Sequence, residues 1–229
     1  MDAIISLLSL IALEVILGID NIIFISILAD KLPEGKRDKL RVWGIGLALL
    51  VRLALLALIS WIIKLDATLF TLLEIEFTGK GIILIFGGLF LLFKSTKEIY
   101  LKTEQENSTL KPVKKVSFKT LLFEVIILDL VFSIDSIITA VGLVNEIWIM
   151  YTAVIVAVTT MLIASKAISE FIYKHPSFKV LALCFLMMIG TSLIAEGLHF
   201  EIPKGYIYFS MGFAFFVDIV QMRTVKAKQ

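Results

Sequence analysis

The chain has 229 residues, 59% of them apolar, and a mean hydropathy of +0.97. No water-facing polar shell covers so apolar a chain at this size, which excludes a soluble globular domain and leaves the bilayer as solvent. The formal net charge is only +2, so nothing points to nucleic acid, and the single Cys184 can form no intramolecular disulfide.

Apolar runs between charged breaks predict an all-α, polytopic bundle of seven transmembrane helices, roughly 3–29, 42–63, 79–93, 118–144, 147–171, 178–198 and 206–222. The first run is too long for a signal-peptide core and has no basic residue before it. The third run can continue as a helix through Ser95 to Tyr100. Thr159, Thr160 and Ser165 in the fifth span can bond their own helix carbonyls.

The loops alternate in charge. The first holds Lys31, Lys36, Arg37, Lys39 and Arg41, and the third, between 94 and 119, holds seven lysines. Lys174, Lys179, Arg223, Lys226 and Lys228 follow on the same side. The intervening loops carry Asp66, Glu74, Glu76, Glu146 and Glu201. The positive-inside rule then predicts an external N-terminus and a cytoplasmic C-terminus. Residues 101–117, rich in polar residues from Glu104 onward, read as a cytoplasmic linker.

Spans one and four carry related motifs. Glu14-Val-Ile-Leu-Gly-Ile-Asp20-Asn21-Ile-Ile matches Asp129-Leu-Val-Phe-Ser-Ile-Asp135-Ser136-Ile-Ile at an offset of 115 residues. Three spans separate the copies, so they cross the membrane in opposite directions. This predicts one transmembrane domain over 1–229, made of two inverted three-helix repeats, 1–100 and 118–199, and a final helix at 206–222. Secondary transporters use that plan, with binding near the midplane. Inversion predicts two layers of acids, Asp20 with Asp129 and Glu14 with Asp135. Glu14 and Asn21 share a helical face, as do Asp129 and Ser136. Gly18 would let a neighbouring helix or an ion approach the backbone, or let the helix break.

Each ionisable residue near the bilayer centre costs about 2.5–3.5 kcal/mol, so four amount to roughly 10–15 kcal/mol. Such a cost points to function, and specifically to a cation path. Arg52, in the middle of span two, is the one basic residue near a span centre and is expected to neutralise one carboxylate. Glu124 is a possible accessory acid on the face of Asp135. Asp218 is a second, although a helix-end ion pair with Arg223 explains it better. Carboxylates, an amide and a hydroxyl are oxygen ligands, suited to Mn²⁺, Mg²⁺ or Ca²⁺ rather than Zn²⁺ or Cu⁺, and protons also bind there.

Both motifs resemble the two signatures of the TerC family of integral membrane proteins, named for tellurium resistance and including bacterial manganese exporters. Gly-Gly-Leu-Phe-Leu-Leu-Phe-Lys-Ser-Thr-Lys-Glu at 87–98 and Pro-Lys-Gly-Tyr-Ile-Tyr-Phe at 203–209 extend the likeness over nearly the whole chain. Ile138 stands where the best-known exporters usually have proline, and Asp218 where glutamate is common. The resemblance implies seven spans, a bacterial inner-membrane location and Mn²⁺ efflux. It assigns ion handling to Glu14, Asp20, Asn21, Asp129, Asp135 and Ser136. The expected partners are the lipid bilayer, a divalent metal ion and protons, with no permanently bound cofactor. With no nucleotide-binding motif, proton exchange is the simplest energy source, and alternating access the expected mechanism. Two other classes stand beside a transporter. An intramembrane aspartyl protease also needs two buried Asp residues, but the Gly-x-Gly-Asp of those enzymes is absent. A membrane assembly or scaffolding protein would tolerate neutral substitutions of the acids.

Overall fold

The computed structural model describes residues 2–72, 75–105, 116–144, 146–200 and 202–226. Most of the expected linker, residues 106–115, lies outside them, as do Glu74, Glu201, Lys228 and the Arg223 side chain, and with it the Arg223–Asp218 pair. Seven long helices are described: α1 (Asp2–Ala29), α2 (Glu34–Ala57), α4 (Gly79–Gln105), α5 (Phe118–Leu143), α6 (Ile147–Lys174), α7 (Pro176–Gly197) and α8 (Lys204–Lys226). A one-turn helix α3 (Ile59–Ile62) and a 3₁₀ turn follow α2. The expected all-α class stands. α1, α2, α6, α7 and α8 are long and apolar enough to cross a membrane. α4 and α5 are comparable to them in length, at 27 and 26 residues.

Two boundaries differ from the sequence reading. α2 begins eight residues before 42, so Lys36 to Arg41 lie on its first turns rather than in a loop. Pro33 supplies the start, since its fixed φ suits the entry to a helix, and Lys and Arg are good helix formers. Arg37 closes the α1–α2 turn by donating from Nε to the Leu32 carbonyl (2.9 Å) and pairing with Asp30 (3.4 Å). α4 runs on to Gln105, beyond the Tyr100 that the sequence allows. A two-stranded hairpin, β1 (Thr68–Leu72) and β2 (Ile75–Thr78), occupies what reads as a plain loop. Its β-branched and aromatic residues favour strands, and Phe70 stacks on Phe77.

The chain forms two compact units that interleave along the sequence. The first comprises Met1–Leu69, Thr78–Lys80 and Val113–Phe171, and so holds α1, α2, α5 and α6. The second comprises Phe70–Phe77, Gly81–Pro112 and Ile172–Gln229, and holds most of α4 with α7 and α8. Each unit thus draws helices from both halves of the sequence.

In the first unit α2 packs along α5, and α1 packs on both. Gly44 of α2 leaves room for Val125 of α5, and Gly18 of α1 seats the Met161 side chain of α6. α1 is continuous through Gly18, so the packing role holds there and the helix does not break. Ser26 of α1 and Ser169 of α6 share a buried hydrogen bond of 2.6 Å. Thr159, Thr160 and Ser165 bond their own helix carbonyls, as expected.

In the second unit Phe215 of α8 stacks on Phe178 and Phe185 of α7. α4 meets α7 at glycines, Gly88 against Gly190 and Gly81 against Gly197. His199, in the left-handed region at φ 63°, ends the α7 corner and bonds the Glu76 carbonyl through Nε2. α8 exposes Phe209, Phe213 and Phe216, a row of aromatics suited to lipid rather than water.

Candidate functional site

Every polar residue of the two repeated motifs is buried. Glu14, Asp20 and Asn21 on α1, and Asp129, Asp135 and Ser136 on α5, each expose 6% or less of their surface. These helices carry apolar residues on nearly all faces, so the acids cannot turn to water at membrane depth, and any of them left without a partner inside the unit is costly.

Arg52 on α2 supplies most of that partnering, and it is itself 2% exposed. Its Nη1 donates to Glu14 Oε2 at 2.7 Å, and its Nη2 and Nε donate to Asp129 Oδ1 at 3.0 and 3.3 Å. One guanidinium therefore joins two carboxylates, where the sequence leads to one. The planar fork has enough donors to serve both at once, which a lysine ammonium would do less well. Asn21 Nδ2 adds a third donor to Asp129 Oδ1 (3.1 Å), and Ser133 Oγ donates to Asp129 Oδ2 (3.2 Å). Asp129 thus holds four hydrogen bonds on two oxygens. Glu14, Arg52, Asp129, Asn21 and Ser133 form one network across α1, α2 and α5.

Two acids lie outside that network. Asp135 faces Lys80, at the start of α4, across 3.6 Å, and its backbone carbonyl accepts from Thr139 Oγ1. Asp20 has neither a hydrogen-bond nor an ion-pair partner for its carboxylate among the described residues, although it is only 5% exposed. The Ser136 hydroxyl donates to the Ser133 carbonyl (3.3 Å). The layer reading sets Glu14 with Asp135; the observed partnership is Glu14 with Asp129, through Arg52. Among the described residues no three His, Cys, Asp or Glu side chains gather into a metal cage. A cavity of about 10 Å³ touches Asn21 and Asp129 between α1, α2, α5 and α6, enough for about one water.

Glu124 sits half-buried on α5, in the same unit. Asp218 belongs to the other unit, where it lines a cavity of about 550 Å³ with Ser177, Cys184 and Gln221.

Lys80 and Ser133 are site residues that sequence reading passes over. Ser133 could have been found from its place one turn beyond Asp129. Lys80 could have been found as a cation at the end of span three nearest the level of Asp135. The Lys80–Asp135 pair is longer than a hydrogen bond, and Lys80 keeps contact with its surroundings at 16% exposure. Lys80→Gln leaves the buried Asp135 carboxylate without that cation and is expected to lower stability in detergent by about 1–3 kcal/mol, less than the loss of a fully buried, directly hydrogen-bonded partner. A thermal melt beside wild type checks this, and a much larger loss would make Lys80 a structural anchor.

The match of sequence to family decides the identity. The family model of the integral membrane protein TerC family matches residues 1–229. The chain belongs to the TerC family. It is 49% identical over 214 residues to the UPF0053 inner membrane protein YoaE of Escherichia coli K12, covering 93% of this chain and 41% of that protein. It is 48% identical to a UPF0053 protein of Haemophilus influenzae, covering 97% of this chain and 94% of that one. A third relative, UPF0053 protein YegH of Escherichia coli K12, is 44% identical over 96% of this chain and 42% of its own length. The chain thus spans about two-fifths of the two Escherichia coli relatives and nearly all of the Haemophilus one. No solved structure matches.

Proposed function

We propose that this TerC protein is an inner-membrane transporter, not an enzyme, and that it exports a divalent cation, with Mn²⁺ as the preferred ion. The observation that carries the reading is the buried carboxylate of Asp20, which has no counter-charge among the described residues. An ionised acid at that depth is costly, and a cation or proton at the site relieves the cost. The charge count supports the same reading. Four buried carboxylates set against Arg52 and Lys80 leave a formal charge of −2 when all are ionised. A divalent ion cancels that charge, and so do two protons, which makes exchange of the two a natural cycle.

Oxygen ligands favour a hard ion, and the likeness to manganese exporters favours Mn²⁺ among these. Asp20, Asp135, Asn21 and Ser136 would supply ligands, while Arg52 keeps Glu14 and Asp129 in place. Outward movement of a divalent ion against 100 mV costs about 4.6 kcal/mol. Inward proton flow onto the same carboxylates would supply it, with the N-terminus external and access alternating between the two faces.

The test is ion flux in proteoliposomes across Mn²⁺, Mg²⁺, Ca²⁺ and Zn²⁺, with and without a pH gradient. Mn²⁺ flux driven by the gradient is expected, and Asp20→Asn and Asp135→Asn are expected to abolish it while the protein still inserts. Undiminished flux in both variants, or none from wild type with any ion, would overturn the proposal.

A further inference from the structure

The end of α1 and the starts of α2 and α5 line a cavity of about 1010 Å³, separate from the carboxylate network. Lys31, Lys36, Lys39 and Lys119 line it, together with Trp43 and Ser117, and among the described residues no acidic side chain is on its wall. Lys36, Lys39 and Lys119 form no ion pair among the described residues. Four ammonium groups repel a divalent cation, so this cavity does not belong to an ion path. They attract an anion.

Depth indicates which kind of anion. Trp43 lies nine residues before Arg52 on the same helix, about 13.5 Å along its axis. With Arg52 among the midplane acids, Trp43 falls near the edge of a hydrocarbon core whose half-thickness is about 15 Å. Trp43 is 60% exposed, as an interfacial anchor would be. Lys39 and Lys36 lie one and two turns further out, at the level of lipid headgroups. α5 begins at the same cavity, and Ser117 makes no side-chain bond to its first turn, so that turn's N–H groups remain available to a phosphate oxygen.

We infer that this cavity is a binding site for the phosphodiester headgroup of an anionic phospholipid. The lysines and the first turn of α5 hold the phosphate, and the Trp43 ring lies beside the acyl–glycerol boundary. The inference does not depend on the transport reading, since neither the cavity nor its ligand shares a residue with the carboxylate site.

The test uses the 229-residue chain in nanodiscs of mixed phosphatidylglycerol and phosphatidylcholine. Lipid retained after mild detergent release is counted by native mass spectrometry. Wild type is expected to enrich phosphatidylglycerol at least about 10-fold over the triple variant K36Q/K39Q/K119Q, since each surface lysine contributes separately. The triple arginine variant should retain the enrichment, and the pair K166Q/K174Q, elsewhere on the protein, should not reduce it. Equal enrichment in wild type and the triple glutamine variant would overturn the inference. Displacement of the lipid by excess inorganic phosphate would assign the cavity to a free anion and overturn the lipid source. Should the triple variant fail to fold, brominated lipids read the same contact in a chain whose other tryptophans, Trp61 and Trp148, are changed to Phe. Quenching of Trp43 by brominated phosphatidylglycerol beyond that by brominated phosphatidylcholine is expected, and equal quenching would overturn the inference.

Discussion

Arg52→Met should be among the most destabilising single substitutions in the protein, costing about 3–5 kcal/mol of stability in detergent. The guanidinium serves Glu14 and Asp129 together, at 2.7 and 3.0 Å, with all three side chains almost wholly buried. Its removal leaves two adjacent carboxylates at membrane depth, with the Asn21 amide and the Ser133 hydroxyl beside Asp129 and the Ser136 hydroxyl beside Glu14. The penalty belongs to the acids left behind rather than to any large net gain from the ion pairs. Removing the charges together should therefore be far milder. The triple variant Glu14→Gln, Arg52→Met, Asp129→Asn is expected to regain most of the lost stability. Denaturation of both variants in mixed micelles reads the difference. A triple variant as unstable as Arg52→Met would mean that the network holds α1, α2 and α5 together by its hydrogen bonds, not by charge balance. The triple variant also separates folding from function, since a folded protein lacking three of the network's charges is expected to carry no ions.

Hydropathy alone leads to the seven helices, because a lipid solvent leaves a chain few alternatives. The acids were equally legible, as each stands out in an apolar run, and Arg52 stood out as the lone central cation. Their partnerships were not legible. Helical angle and depth place a side chain on a face and at a level, but which neighbour it meets depends on which helices pack together. That is why Arg52 reads as the partner of one acid and proves to serve two, and why Glu14 is found with Asp129. Lys80 escaped notice because a lysine at a span end is ordinarily an interfacial anchor; only its approach to Asp135 sets it apart. The long start of α2 was hidden by its lysines and arginines, which mark a loop on a hydropathy scale yet are good helix formers. The glycines of α4 and α7 were also unread. Gly81 and Gly88 are seven residues apart, as are Gly190 and Gly197, so each pair lies on one face. Within one span such spacing is easily passed over as composition.

Those glycines carry the second large effect. Gly88→Val is expected to cost several kcal/mol, above the roughly 1–3 kcal/mol typical of overpacking. A Cβ at Gly88 would lie 2.4 Å from the Gly190 carbonyl oxygen, and one at Gly190 would lie 2.9 Å from the Gly88 oxygen. One turn pair away, a Cβ at Gly197 would meet the Gly81 oxygen at 2.6 Å. The obstacle is backbone in every case, so relief requires moving a whole helix and opening the contact along its length. Close approach of backbones through small residues is how helices associate in lipid, where water supplies no drive to bring them together. Gly18→Ala offers the instructive contrast. Its Cβ would come still closer to a neighbour, 2.2 Å from Met161 Sδ, but that neighbour is the end of a flexible side chain. Gly18→Ala is expected to cost less than Gly88→Val despite the shorter distance. Gly46→Ala, where nothing lies within 4 Å, should be neutral or slightly stabilising, since alanine favours a helix over glycine by about 1 kcal/mol. Thermal melts of the three variants in one detergent give the order. A Gly88 variant as stable as the Gly46 variant would mean that α4 and α7 do not meet at their glycines in the folded protein.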